Sequence, residues 1–173
     1  MKFIVNSQVF AKQLQAISGV ITNNNTVPII TCFHFHLDEG KLIAKATDLE
    51  TTIITTIEVE SGKLDGLTDI AVPSRLLLDI LKNMDDAPLT FIVDDNNFSI
   101  EIVSGAGKYH LAGNNADTYP SLPIVEDTVT TNISAFVLTS AINKTIFAAI
   151  LSITFIFKNY IYPFTPVEMS LIN

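Results

Sequence analysis

Four residues in one short stretch have the types that hold a metal ion or move a proton. They are Cys32, His34, His36 and Asp38, within Thr31-Cys32-Phe33-His34-Phe35-His36-Leu37-Asp38. On a strand the two-residue period sets all four on one face, and each is a possible zinc ligand. That chemistry would belong to a small metal-dependent enzyme using Cys32, His34 and His36. Residues two apart on a flat strand rarely converge on one ion without help from another segment, however, and His110 stands far along the chain with no motif around it. The same pattern describes a half-exposed strand with Phe33 and Phe35 in a core, which is the commoner outcome for such faces.

Other candidates for catalysis are weaker. Asp48 and Glu50, in Ala46-Thr47-Asp48-Leu49-Glu50, could pair as carboxylates, but they sit at a strand end without a nearby base or nucleophile, as turn residues often do. Asp85-Asp86 and Asp94-Asp95 read as helix-end and hairpin residues. The chain has no glycine-rich phosphate loop, nucleophile elbow or paired cysteine motif. Nothing points to an enzyme, and no cofactor or metal is implied. Three cations, Lys12, Arg75 and Lys82, fall on polar stripes, where solvated-face charges are common.

The elements that would position these residues begin with a strand, Lys2 to Asn6, whose Phe3 and Val5 share a side of the pleat. Ser7 offers a hydroxyl cap, so a helix is expected from about Gln8. Phe10, Leu14, Ile17 and Ile21 form its core face, with Gln8, Lys12, Gln15 and Gly19 opposite. The Asn23-Asn24-Asn25 run ends it, and Pro28 turns Val27 toward extended structure. Ile29–Asp38, Lys41–Thr47 and Thr51–Glu60 read as an antiparallel meander, followed by Ile70–Val72. Pro73-Ser74 opens a second helix through about Met84, with Leu77, Ile80, Leu81 and Met84 apolar and Arg75, Asp79 and Lys82 on a polar stripe. Leu89–Val93, Phe98–Val103 and Lys108–Ala112 complete an α+β domain whose sheets carry both helices on one side.

The 173 residues allow one well-cored domain and part of a second, and 48% hydrophobic content with only 7 Gly and 7 Pro predicts a globular chain. The single cysteine, Cys32, excludes an internal disulfide framework and fits a reducing compartment. No secretory signal is read at the start. The longest apolar run, Ile146 to Phe157, is broken by Ser152 and Thr154 and is shorter than a membrane span needs. A cytoplasmic protein without a membrane partner is expected. The net charge of −8 counts against gripping nucleic acid simply by covering phosphates with cations.

From Gly113 to Asp127 the chain is loop-like, which suggests a domain boundary. Beyond it a degraded copy of the opening unit starts near Ala135. Phe3 pairs with Phe136, Val5 with Leu138, Ser7 with Ser140, Leu14 with Phe147 and Ile17 with Ile150, in the register of strand, cap and helix face. A tandem domain repeat explains this, with 1–125 as the first domain, 126–148 as the opening strand and helix of a second, and 149–173 as an atypical apolar tail.

The opening Met1-Lys2-Phe3, Thr26-Val27-Pro28-Ile29-Ile30, Ala46-Thr47-Asp48-Leu49-Glu50, Val72-Pro73-Ser74-Arg75 with Leu78-Asp79-Ile80-Leu81, and Asp117-Thr118-Tyr119-Pro120 are shared, in order and spacing, with one family. Over about Met1 to Ala148 the chain resembles the bacterial DNA polymerase III beta subunit, the beta sliding clamp. The resemblance implies a DNA clamp fold, with antiparallel sheets outside and two helices on the inner face. It also implies a non-enzymatic processivity factor in DNA replication. In the family, two chains of three like domains close head to tail as a homodimer around double-stranded DNA and tether the replicative polymerase by topology. A closed ring cannot fall off, so an acidic protein with a locally cationic hole suffices.

By the same resemblance Arg75 matches a basic DNA-contacting position, with Lys12 and Lys82 as neighbours. Asn24 stands where some members carry a DNA-contacting arginine. Leu76, Ile80, Tyr109 and Leu111 match positions of the edge that meets the partner subunit. After Ala148 the family pattern ends, and the tail is read as out of frame or otherwise unrelated. The family's pocket for DNA polymerase III and the clamp loader would then be missing, leaving a truncated portion not expected to close a ring alone. An interaction module acting on a full-length clamp through its third-domain edge is a further reading.

Overall fold

The computed structural model describes residues 1–22, 27–62, 66–105, 107–121 and 133–146. The chain divides into two units, Met1–Leu122 and Pro123–Asn173.

The first unit opens with strand β1 (Lys2–Asn6), which buries Phe3 and Val5, and runs directly into helix α1 (Ser7–Ser18). The cap is Asn6 rather than Ser7. Its side chain accepts from the amides of Gln8 and Val9, both at 3.0 Å. Ser7 is drawn inward instead, where its hydroxyl donates to Asp85 O at 2.7 Å and accepts from Ala87 N at 3.2 Å. Pro28–Thr31 form a 3-10 turn, so β2 (Cys32–Asp38) begins three residues later than the sequence pattern suggests. Proline's fixed φ suits the first position of such a turn, and the Thr31 hydroxyl closes it on Pro28 O at 2.7 Å.

Strand β3 (Lys41–Thr47) follows through a tight hairpin in which Glu39 and Gly40 both take positive φ, 30° and 82°. Two such residues match the twist of the strands they join. Next come β4 (Thr52–Glu58), the two-residue β5 (Glu60–Ser61), β6 (Asp69–Pro73) and helix α2 (Ser74–Lys82). Asn83 stops α2 two residues before the expected end, its side chain donating to Asp79 O at 2.7 Å. Strands β7 (Pro88–Val93), β8 (Ser99–Ser104) and β9 (Gly107–Ala112) complete the unit.

One sheet has the order β5-β1-β7-β8-β9 and the other β4-β3-β2-β6, and all pairings are antiparallel. The helices lie side by side. α1 packs on β1, β3 and β4, and α2 on β2, β6 and β9, so the pair straddles both sheets. The core forms where these layers meet. Phe3 stacks on Phe91 at 4.9 Å between ring centres, while Phe10 from α1 sits 5.8 Å from Phe35, which lies 6.0 Å from Phe91. Aromatic pairs at such distances add directional attraction to the area they remove from water.

In the second unit, residues 135–146 form one continuous helix, here α3. The strand expected over Ala135–Leu138 is therefore not formed, and Ser140, expected as a cap, lies mid-helix. The Leu138 amide already donates to Ser134 O at 3.0 Å. A strand needs a neighbour for its backbone groups, whereas a helix satisfies them within itself. Phe136 is 81% exposed, with Val137, Ile142 and Ile146 also exposed. Asn24 and residues 149–173 lie outside the described residues.

Candidate nucleic-acid interface

The surface built by α1 and α2 follows from their periodicity. Burying Phe10, Leu14 and Ile17 on α1, and Leu77 and Leu81 on α2, leaves Gln8, Lys12 and Gln15 outward on the first helix and Arg75, Asp79 and Lys82 outward on the second. The two outward stripes carry three cations against one carboxylate, in a chain whose net charge is −8. Among the described residues none of Lys12, Arg75 and Lys82 makes an ion pair. A cavity of about 670 Å³ runs between the end of α1 and α2, lined by Ser18, Ile21, Thr31, Arg75, Asp79 and Lys82 among others.

Polar ties fix where the helices start. The Ser7 hydroxyl and the Asn6 side chain, whose Nδ2 donates to Asp86 Oδ1 at 2.7 Å, bind the entrance of α1 to the exit of α2. The Ser74 hydroxyl donates to Thr31 O at 2.6 Å and anchors the start of α2 at the base of β2. The residue before α2 is Pro73, and no side chain caps the helix. Arg75, in the first turn of this uncapped helix, is exposed, and a helix start of this kind favours negative charge.

The four positions assigned to a subunit edge do not share one environment. Leu76 is 56% exposed, while Ile80 and Tyr109 are half-buried and pack on the core. Leu111 is 7% exposed and belongs to the core itself. Strand β9, which carries Tyr109, is the outer strand of its sheet.

The cysteine and histidine strand is organised differently from a metal centre. Phe33, Phe35 and Leu37 are buried in the main core, and Cys32 and His34 are buried on the opposite face of β2. The neighbouring strand supplies Asp69, which faces both histidines: His34 Nε2 lies 3.1 Å from Oδ1, and His36 Nδ1 lies 3.0 Å from each carboxylate oxygen. Tyr119 covers this face, its ring 5.0 Å from His34 and its hydroxyl donating to Cys32 O at 3.3 Å. Burial pushes the Tyr119 phenol up to about 12 and raises the Cys32 thiol. Burial, followed by the nearby Lys45 ammonium, lowers His34 below its ordinary value. For Asp69 burial acts upward, but hydrogen bonds from His36 and Thr68 and the adjacent imidazoles outweigh it and hold the carboxyl low. Among the described residues no group of three His, Cys, Asp or Glu is arranged to hold a metal ion.

Asp48 is a turn residue, its Oδ1 accepting from the amides of Glu50 and Thr51 at 3.0 and 2.6 Å. The roles of Asp69 and Tyr119 were not readable from sequence, because both depend on which strand and loop the fold lays against β2. The cap at Asn6 left a weak signal, since asparagine and serine are comparable cap residues standing side by side.

The family model for the DNA polymerase III beta subunit, N-terminal domain, matches residues 1–123. The chain belongs to this family. A beta sliding clamp from Vibrio harveyi is 29% identical over 149 residues, covering 86% of this chain and 100% of that one. A beta sliding clamp from Halalkalibacterium halodurans is 24% identical, with 86% of this chain matched to 40% of that protein. The crystal structure of a DNA polymerase III subunit beta sliding clamp from Pseudomonas aeruginosa, bound to griselimycin, has a TM-score of 0.64 and 25% identity over 75% of this chain and 33% of that chain. The chain thus has the α+β clamp fold and, the Vibrio harveyi protein aside, spans well under half the length of these beta subunits. Among its described residues no helix is long and apolar enough to cross a membrane.

Proposed function

We propose that this chain acts as the DNA-facing first domain, residues 1–125, of a replication sliding clamp, a non-enzymatic processivity factor working on duplex DNA in the cytoplasm. The observation that carries the reading is the paired α1 and α2 surface. It gathers Lys12, Arg75 and Lys82 without ion-pair partners among the described residues, while the rest of an acidic chain repels phosphate. Arg75 is the principal phosphate contact, helped by the uncapped start of α2, and Lys12 and Lys82 flank it. Exposed, flexible cations suit a lining that slides, because none locks onto a base. Asn24 belongs to the same proposal by its place in the family pattern.

The second part of the proposal concerns ring building. Leu76, Ile80 and Tyr109, backed by the buried Leu111, form the edge that meets a complementary clamp segment of a second subunit in a head-to-tail homodimer. Polymerase and clamp loader are partners of the assembled ring rather than of this surface. The test is duplex binding by the full chain and by a Lys12→Glu, Arg75→Glu, Lys82→Glu variant with an unchanged circular dichroism spectrum. Loss of binding in the variant is expected. Equal binding by both proteins would overturn the assignment of this face.

A further inference from the structure

Helix α2 sets three exposed charges along its outward stripe in the order Arg75, Asp79, Lys82, an anion between two cations. Nothing in the helix itself calls for a carboxylate there. Asp79 is the sixth of nine residues, too far along to cap the start, and in the last turn the helix dipole disfavours negative charge. The hydrogen bond that Asn83 donates goes to the Asp79 backbone oxygen, not to its side chain. Residues three and four apart on a helix are neighbours, so Asp79 is within pairing reach of both Lys82 and Arg75. Among the described residues neither ion pair forms.

All three residues line the cavity of about 670 Å³ beside the end of α1. At 1.5 Å per residue, Asp79 stands about 6 Å along the helix axis from Arg75 and about 4.5 Å from Lys82. Phosphates that reach both cations therefore bracket Asp79. Such separations lie within one Debye length at 0.1 M salt, so the carboxylate repels those phosphates with little screening. It is also a tethered rival for each cation, held on the same helix at pairing distance.

We infer, on the reading of α1 and α2 as the duplex-contacting face, that Asp79 restrains DNA binding: it repels the phosphates that approach Arg75 and Lys82 and competes with them for both cations, so that the face holds duplex loosely. Repulsive elements set how tightly a surface binds as surely as attractive ones do. A stripe of cations alone would grip phosphate more firmly, which is the opposite of what a surface that slides requires. The restraint acts on backbone charge and not on base edges, so it is the same for every duplex sequence.

The test is fluorescence anisotropy of a labelled duplex with the full chain and its variants at low and moderate salt. Asp79→Asn should bind about threefold tighter at low salt, the effect of removing one unit charge about 6 Å from phosphate in water, and the gain should shrink as salt rises. Asp79→Ala, which favours the helix, should show the same gain, and Asp79→Glu should bind like the unaltered chain. Glu101→Gln removes an equal charge from the face of β8 turned away from the core and should leave affinity unchanged. Equal or weaker binding by Asp79→Asn and Asp79→Ala, with binding still lost in the Lys12→Glu, Arg75→Glu, Lys82→Glu variant, would overturn the inference and leave the duplex-contacting face standing. A matching gain in Glu101→Gln would also overturn it, by tracing the effect to net charge. Binding that survives in the triple variant would remove the face itself and the role of Asp79 with it.

Discussion

Replacing Arg75 by alanine should change the salt dependence of duplex binding in a calculable way. Each phosphate neutralised on duplex DNA contributes about −0.9 to the slope of log affinity against log salt. With Lys12, Arg75 and Lys82 each reaching one phosphate, the slope is about −2.7, and affinity falls about 40-fold between 50 and 200 mM salt. Arg75→Ala leaves two contacts, a slope of about −1.8 and a fall of about 12-fold. Arg75 is exposed, so the fold should survive and the comparison is clean. The assay is fluorescence anisotropy of a labelled duplex at four salt concentrations, repeated on an unrelated sequence to show that both bind alike. An unchanged slope in the variant would refute the placement of Arg75 on the DNA. A change in affinity confined to one sequence would refute the sliding character of the contact.

Four further outcomes follow from the geometry. Asn6→Ala removes the α1 cap and should lower stability by about 1 kcal/mol, measured by urea unfolding. Ser7→Ala should cost a similar amount, because it leaves the part-buried Ala87 amide without its partner. Stability should also fall with acid. His34, lowered mainly by burial, stays neutral in the fold while the unfolded chain takes up a proton near pH 6.5, so stability is full above that value and declines below it by at most about 1.4 kcal/mol per pH unit. Asp69, held low, adds a second loss only as pH drops below the ordinary carboxylate range. His34→Gln should flatten the first decline, and unfolding midpoints at pH 7.5, 6 and 5 measure it. Finally, capture of this chain by an intact beta sliding clamp should be lost on Tyr109→Asp and retained in Glu101→Gln, read by pull-down.

Much of the first unit was legible because its signals are local. The buried faces of α1 and α2 follow from Phe10, Leu14, Ile17, Leu77 and Leu81 at helical spacing, and the outward position of Lys12, Arg75 and Lys82 is the geometric complement of that burial. The alternation of β2 likewise separated Phe33 and Phe35 from His34 and His36. Non-local partners were not legible. Nothing near His36 in the chain announces Asp69, which arrives from a strand more than thirty residues away, and Tyr119 reaches Cys32 O from still farther. Leu111 reads as an interface position from its family match, yet it is buried within the core cluster. Residues 135–146 show the reverse failure, in which a strand pattern was present but no neighbouring strand pairs with it among the described residues.

The claim that the paired helices face DNA is tested most directly by amide chemical-shift mapping of the full chain titrated with a short duplex. The account predicts shifts concentrated at Gln8, Lys12 and Gln15 on α1 and at Ser74, Arg75 and Lys82 on α2, growing as salt is reduced, with His36 on β2 and Glu101 on β8 unmoved. Shifts centred on β2, β3 or β8, with α1 and α2 silent, would contradict it.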